Sequence, residues 1–468
     1  MSTSETMTFD LAVGRRSARS DTTSSHATPV PAWRLFETGV NDHKGLLIVD
    51  GSRIHQVRKH VAAILRQVEA SGRDDLRAAA FAALGLSSAE IIQATPPDRI
   101  PVRALSLAIA QKCNLGCTYC YAGGGEFGGA PASMSPEVVA AAVDRLFHDV
   151  SAGETVRLAF LGGEPLTNRA GLKAAVERAE RLALERGAEV LFSITTNGTL
   201  LDAPVAAYLA DKRFNVTVSL DGPAEVHDRL RPFKNGKGSF QRIADRLAPL
   251  IERQDEIELS ARVTVTPRNL DLIQTLDALS DLGFRTVGFS PMVSSPTGAD
   301  EMSGGQFDEL LSQMIACGQQ FENSLRGGAH HPFANLASAL HELHRGTHRP
   351  YPCGAGAGYL GVSADGELSA CHRFVGDPSA KFGDVWTGLD QARQTAWLAE
   401  RNVHAQEPCR SCWARYLCGG GCHHEVLRRG RPACDFIRAW LGYCLGAYVR
   451  LIDDCDWWFE GRAPRVRP

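Results

Sequence analysis

The chain has 468 residues, 44% of them hydrophobic and 22% charged, and a formal net charge of -3. This length accommodates two or three domains with separate cores, while the small net charge supplies no electrostatic footprint for nucleic acid. No apolar run approaches the roughly 20 residues of a membrane-spanning helix, so no membrane partner is expected.

Residues 1–32, rich in Ser and Thr, read as a disordered tail. They contain no signal-peptide core, and no hydrophobic region follows Arg15 and Arg16 to make a twin-arginine signal. A cytoplasmic location is therefore expected, and the 13 cysteines read as metal ligands in preference to disulfides. Residues 33–97 form a small module, with apolar stretches around Leu35 and over Leu46 to Val49, then a helix from Val57 to Ala70.

From 98 to 298 short apolar runs alternate with amphipathic helical stretches. Strands are predicted at Leu105 to Ala110, Val156 to Leu161, Val190 to Ile194, Phe214 to Ser219, Ile257 to Thr266 and Thr286 to Phe289. Helices fall near Pro136 to Val150, Ala170 to Arg186, Pro204 to Asp211, Phe240 to Arg253 and Leu270 to Leu282. Gly187 and Gly283 stand where helix C-caps belong. Such alternation predicts an α/β fold with a parallel sheet, and six units fall short of the eight that close a full barrel. Residues 299–349 are helical and polar, with His341, His344 and His348 at helical spacing reading as a solvated face. Residues 350–468 are cysteine-rich.

The densest chemistry follows the first strand, where Cys113, Cys117 and Cys120 make a Cys-x3-Cys-x2-Cys run with Tyr119 in the penultimate position. Three thiolates so close suit one soft metal centre, and on a four-iron cubane they leave one iron open for chemistry. A zinc knuckle lacking its fourth ligand is the competing reading, but structural zinc sites are closed. Gly162-Gly163-Glu164-Pro165 follows the second strand. Its paired glycines permit close backbone approach to a ligand, and Glu164 offers a carboxylate to an ammonium group. Thr196 and Asn197 close the third strand and Ser219 the fourth, at the strand edge where parallel folds place ligand contacts.

A second array comprises Cys353, Cys371, Cys409, Cys412, Cys418, Cys422 and Cys434. Seven thiolates exceed the needs of one cluster and suggest two sites, whereas a zinc ribbon would absorb four and leave Cys353 and Cys371 unexplained. Cys444 competes with Cys434 for the last position. Cys317 and Cys455 read as buried small hydrophobes, and His423 and His424 lie close enough to Cys422 to reach a cluster.

The Cys113–Cys120 triad resembles the signature of radical S-adenosylmethionine enzymes, and the seven-cysteine array resembles the SPASM extension found in many of them. The resemblance implies a partial six-stranded barrel carrying a 4Fe–4S cluster on Cys113, Cys117 and Cys120, with S-adenosylmethionine on its open iron. By the same resemblance Tyr119 and Gly162 to Pro165 line the cofactor, Glu164 meets the methionyl amine, Ser219 the ribose and Arg262 the carboxylate. Cys353, Cys371 and Cys422 would hold auxiliary cluster I, and Cys409, Cys412, Cys418 and Cys434 auxiliary cluster II, making three 4Fe–4S clusters. The N-terminal module would be a winged-helix-type peptide-recognition domain or a plain cap on the barrel.

Three stretches narrow the likeness: Tyr121 to Gly129, Leu220 to Phe240 (Asp-Gly, His-Asp-Arg, Arg-Pro, Gly-Lys-Gly-Ser-Phe) and Cys353 to Val385. Together they resemble thioether-forming peptide maturases, namely those of the quinohemoprotein amine dehydrogenase small subunit and of SCIFF peptides. The implied partner is a cysteine-containing peptide or small subunit, with a flavodoxin- or ferredoxin-type electron donor. The alternatives are an anaerobic sulfatase-maturating enzyme and a non-catalytic iron–sulfur electron carrier or redox sensor. An electron carrier would have no use for the Gly162 to Pro165 loop.

Overall fold

The computed structural model describes residues 32–39, 42–86, 100–347 and 349–462. The tail expected at 1–32 lies outside the described residues except for Ala32, as do His348 and positions 87–97 of the N-terminal module. Strands β1 (Trp33–Glu37), β2 (His43–Ile48) and β3 (Arg53–Arg58) form an antiparallel sheet in that order, followed by α1 (Lys59–Ser71) and α2 (Asp74–Ala83). Trp33, Leu46, Ile48, Leu65 and Phe81 give it a small core of its own. The helix predicted from Val57 starts at Lys59 because Val57 and Arg58 still pair with β2.

The central unit runs β4 (Ala104–Gln111), β5 (Ala132–Ser133), α3 (Pro136–Phe147), β6 (Thr155–Gly162), α4 (Arg169–Arg186), β7 (Glu189–Thr196), α5 (Ala203–Asp211) and β8 (Asn215–Ser219). It continues through α6 (Ala224–Leu230), α7 (Phe240–Ile251), β9 (Leu259–Val265), α8 (Leu272–Asp281) and β10 (Val287–Pro291). Strands β4, β6, β7, β8, β9 and β10 pair in chain order, all parallel, and the sheet does not close into a barrel. Residues Ala104 to Ala110 of β4 are buried on both faces, as expected of a parallel strand covered by helices. Local signals act where they stand: Ser135 caps α3 and Asp202 caps α5 through backbone N–H groups three residues on, and Gly187 ends α4 at φ 63.

Beyond β10 come α9 (Gly304–Arg326), α10 (Ala334–His344), β11 (Tyr359–Val362), β12 (Glu367–Ser369), β13 (Lys381–Asp384), β14 (Gly388–Leu389), α11 (Gln391–Arg401), α12 (Arg415–Cys418), α13 (His423–Arg429), α14 (Cys434–Leu451) and α15 (Asp456–Phe459). Strand β11 adds in parallel to the other side of β4, pairing Tyr359 with Ala104 and Val362 with Leu107, so the central sheet runs on into the cysteine-rich region. Helix α14 is clamped to α9 by buried Glu322, which accepts from Arg450 (2.6 Å), Arg326 (3.2 Å) and Tyr443 (2.7 Å). The same region meets the N-terminal sheet through Arg415 and Asp50 (2.6 Å).

His341 departs from the solvated-face reading, whereas His344 stays exposed while touching its neighbours. His341 stacks on Trp458 at 4.2 Å and His344 packs on Phe459 at 5.0 Å, because α15 folds back over α10. Among the described residues no helix is long and apolar enough to cross a membrane.

Candidate active site

Cys113, Cys117 and Cys120 lie in the loop that leaves β4; Cys117 interacts electrostatically with both other thiols of the triad, and Cys113 with Cys120. Burial pushes the Cys113 thiol up and that of Cys117 to about 12. Buried thiols of this kind ionise when a metal supplies the balancing charge, and metal binding then releases protons. Two neighbouring segments shape the loop. One is 162–165, where Gly163 N donates to Ala110 O (2.8 Å) and Glu164 N to Lys112 O (2.9 Å). A Cβ on Gly163 would lie 2.4 Å from Lys112 O and 2.9 Å from Gly125 Cα, so only glycine lets the two loops touch. The other is 230–234, which pairs antiparallel with 114–118 through Gly116 N to Pro232 O (2.8 Å), Thr118 N to Leu230 O (3.1 Å) and Lys234 N to Asn114 O (3.3 Å).

Glu164 is fully buried and turned into the protein. Its carboxylate accepts from Leu166 N (3.0 Å), Thr196 Oγ1 (2.8 Å) and Asn197 N (2.7 Å). Burial raises its pKa, and these donors oppose the rise. Asn197 continues the chain of contacts: its Nδ2 donates to Asn114 Oδ1 (2.9 Å) and reaches Cys113 Sγ (3.7 Å), while its Oδ1 accepts from Thr199 Oγ1 (2.7 Å). Glu164, Thr196 and Asn197 thus tie the end of β7 to the cysteine loop, with their polar side-chain atoms bonded to protein. Tyr119 is 5% exposed, packed with Leu230 and Met292, and its hydroxyl donates to Asp221 and accepts from Arg231 Nη1 (2.7 Å). Ser219 stands at the end of β8, paired in register with Arg262 of β9.

Arg262, on β9, is open to solvent by area yet enclosed by enough protein that desolvation lowers its pKa. Its charged neighbours are Arg373 and Glu425, which places its head group toward the second cysteine array.

In that array the structure brings Cys353, Cys371 and Cys422 together. Each pair interacts electrostatically, and burial lifts Cys353 to about 11 and Cys371 to about 12. Cys353 is exposed by area but hemmed in by protein, as Arg262 is. Arg373 Nη1 donates to Glu425 Oε1 (2.7 Å) and lies 3.7 Å from Cys422 Sγ. Tyr121, which follows Cys120, joins the two triads. It feels both Cys120 and Cys371, contacts the His372 ring edge-on at 5.9 Å, and carries the Arg373 guanidinium over its face at 5.5 Å.

Cys409, Cys412, Cys418 and Cys434 line one cleft of about 600 Å³, open solvent included, which Cys422 also borders. Cys409 feels the other three. Cys444 lies apart, fully buried, with Glu322 as its charged neighbour, and Cys317 and Cys455 are also fully buried. The arrangement thus brings Cys434, and not Cys444, to the tetrad. Sequence reasoning assigned no role to Tyr121, Arg231 or Arg373, and read Asp221 only as a polar residue at the edge of the fourth strand. The signal available for Arg231 was the Arg-Pro pair within the 220–240 stretch.

Among the described residues no three His, Cys, Asp or Glu side chains are grouped as a single-ion site. The thiol groups suit a cubane, which spreads its ligands over separate irons. A family model described as the radical SAM superfamily matches residues 107–254. A cysteine-type anaerobic sulfatase-maturating enzyme of Clostridium novyi (strain NT) is 30% identical over 349 residues, which is 69% of this chain and 89% of the relative. The chain belongs to the radical SAM superfamily, among its SPASM-type peptide maturases.

Solved radical SAM structures share the fold. Native anSMEcpe with bound AdoMet aligns at a TM-score of 0.60 and 21% identity, covering 76% of this chain and 100% of that one. Streptococcus suis SuiB bound to precursor peptide SuiA aligns at 0.51 and 15%, covering 85% and 96%. Membership implies a 4Fe–4S cluster and S-adenosylmethionine. The donor set fits: Cys113, Cys117 and Cys120 would hold the cluster beside the glycine loop of 162–165, at the C-terminal ends of parallel strands. When bound, the pair supplies a 5'-deoxyadenosyl radical that takes a hydrogen atom from a substrate.

Proposed function

We propose that this radical SAM maturase joins a cysteine sulfur to a carbon of another residue within a ribosomal peptide or small protein subunit. The observation that carries the reading is the second triad. Cys353, Cys371 and Cys422 group together, and the spare cysteines Cys317, Cys444 and Cys455 are fully buried elsewhere. Three thiolates on a cubane leave one iron for a substrate thiolate, whose pKa a metal lowers. Tyr121 spans from that triad to the radical triad, so a substrate held at one lies toward the other.

The bond balances as follows. The carbon loses its hydrogen as an atom to the adenosyl radical, the sulfur loses its hydrogen as a proton, and the remaining electron leaves through an auxiliary cluster to an external acceptor. On this reading Cys409, Cys412, Cys418 and Cys434 hold a third cluster facing the redox partner. Strand β3, at one edge of the N-terminal sheet, offers the peptide a place to add as a further strand.

Formylglycine formation in a sulfatase is the second reading, favoured by the Clostridium novyi relative. Reduced, reconstituted protein should cleave S-adenosylmethionine to 5'-deoxyadenosine. Co-expression with a small cysteine-rich protein encoded beside it should give crosslinks that each lose two hydrogens and resist reduction and alkylation. Cys353→Ala or Cys371→Ala should retain 5'-deoxyadenosine formation and abolish crosslinking. An aldehyde in place of the cysteine side chain would establish the second reading instead.

A further inference from the structure

The segment 220–240 is tied to the cysteine loop in a way that the proposed reaction leaves unexplained. The pairs Gly116 with Pro232 and Thr118 with Leu230 set an antiparallel register in which Arg231 lies directly opposite Cys117, at a position between two hydrogen-bonded pairs. Residues so placed approach more closely than the flanking pairs, with side chains on one face.

Arg231 is 8% exposed. Nη1 donates to the Tyr119 hydroxyl at 2.7 Å and lies 4.0 Å from Asp221 Oδ2, while Nε has no acceptor among the described residues. A buried guanidinium with a spare donor is costly unless it serves a nearby charge. The surrounding side chains hold it in place. Ser239 Oγ donates to Arg231 O (2.6 Å) and contacts His227 Nε2 (3.0 Å), His227 Nδ1 accepts from Asp221 N (3.2 Å), and Asp228 Oδ1 accepts from Ser239 N (2.7 Å) and Phe240 N (2.8 Å). Asp221, His227, Asp228 and Ser239 thus form one network that fixes the Arg231 backbone.

We propose that Arg231 is the counter-cation of the radical cluster: its guanidinium, carried by the residue directly opposite Cys117 and with Nε unpartnered among the described residues, raises the cluster's reduction potential, and Asp221 trims that effect. This rests on the reading that Cys113, Cys117 and Cys120 hold the cluster. Net charge and hydrogen bonds to sulfur are among the quantities that set such potentials. A fixed positive charge stabilises the reduced cluster, which carries one more electron, over the oxidised one. In this role Arg231 acts through the cluster as a tuning residue.

The test is an EPR-monitored redox titration of the full-length reconstituted protein, following the signal that changes when S-adenosylmethionine is added, with iron counted for each sample. In Arg231→Gln the reduced-to-oxidised ratio at a fixed potential should fall by about tenfold or more, tenfold being 59 mV for one electron. Arg231→Lys keeps the charge and should fall by less than Arg231→Gln, and Asp221→Asn should move the ratio upward. The inference is overturned if Gln and Lys variants shift equally, if neither shifts with iron retained, or if Asp221→Asn moves in the same direction as Arg231→Gln. Should Arg231→Gln fail to hold iron, Asp221→Asn decides alone: a rise supports the counter-cation and no change overturns it. Wild-type protein that binds no iron at the triad would overturn the cluster assignment itself.

Discussion

Replacing Glu164 by Gln separates two roles that one carboxylate can have in a glycine-rich cofactor loop. The carboxylate accepts three hydrogen bonds, two at Oε1 from Leu166 N and Thr196 Oγ1, and one at Oε2 from Asn197 N. A carboxamide oxygen can keep the first two, but its NH2 then faces the Asn197 N–H donor to donor. Losing a hydrogen bond to a charged group costs about 1.5–3 kcal/mol. That corresponds to roughly ten- to a hundredfold in an equilibrium constant. Because Asn197 also holds Asn114 and reaches Cys113, the damage should extend to the cysteine loop. Urea unfolding of the cluster-free protein should therefore show a loss of about that size, and calorimetry on the reconstituted protein should show weaker S-adenosylmethionine binding. If apo stability is unchanged while affinity falls tenfold, the carboxylate acts directly on the ligand and the scaffold argument is refuted. If neither changes, both roles are refuted.

Cys434→Ala should lower the iron content of anaerobically reconstituted protein by about four atoms, one cubane, whereas Cys444→Ala should leave it unchanged; the reverse result would move the tetrad's fourth ligand. Gly163→Ala drives a Cβ to 2.4 Å from Lys112 O and should cost about 1–3 kcal/mol or more by overpacking, measured as a lowered urea midpoint. Glu322→Ala removes the acceptor shared by Arg450, Arg326 and Tyr443 and should destabilise by about 3–5 kcal/mol, as expected for one partner of a buried pair. Arg450 and Tyr443 hold the Glu322 pKa below the ordinary glutamate value against the opposing effect of burial. Its contribution is thus complete above the unfolded pKa and lost as pH falls through the folded one. The stability gap between wild type and Glu322→Ala should close on acidification, and a gap independent of pH would contradict the pairing.

Local patterns in the chain determined much of the central unit. Apolar runs such as Leu105 to Ala110 are strands buried on both faces, and Ser135, Asp202 and Gly187 end or begin helices through bonds to their immediate neighbours. The grouping of Cys113, Cys117 and Cys120 was equally legible, since eight residues span the whole triad. Longer-range facts were not. The pairing of β11 with β4, which carries the cysteine-rich region onto the core sheet, joins residues some 255 positions apart with no local signal in either strand. Cys434 and Cys444 lie on one helix, and only the packing of α14 against α9 decides that Cys444 is core and Cys434 is free to meet Cys409. The donors that Glu164 accepts from could not be read locally, because Thr196 and Asn197 come from the next strand of the sheet. Arg231 went unassigned because its meaning lies in the register of 230–234 against 114–118, and a register between distant segments is set by tertiary hydrogen bonds that no sequence periodicity records.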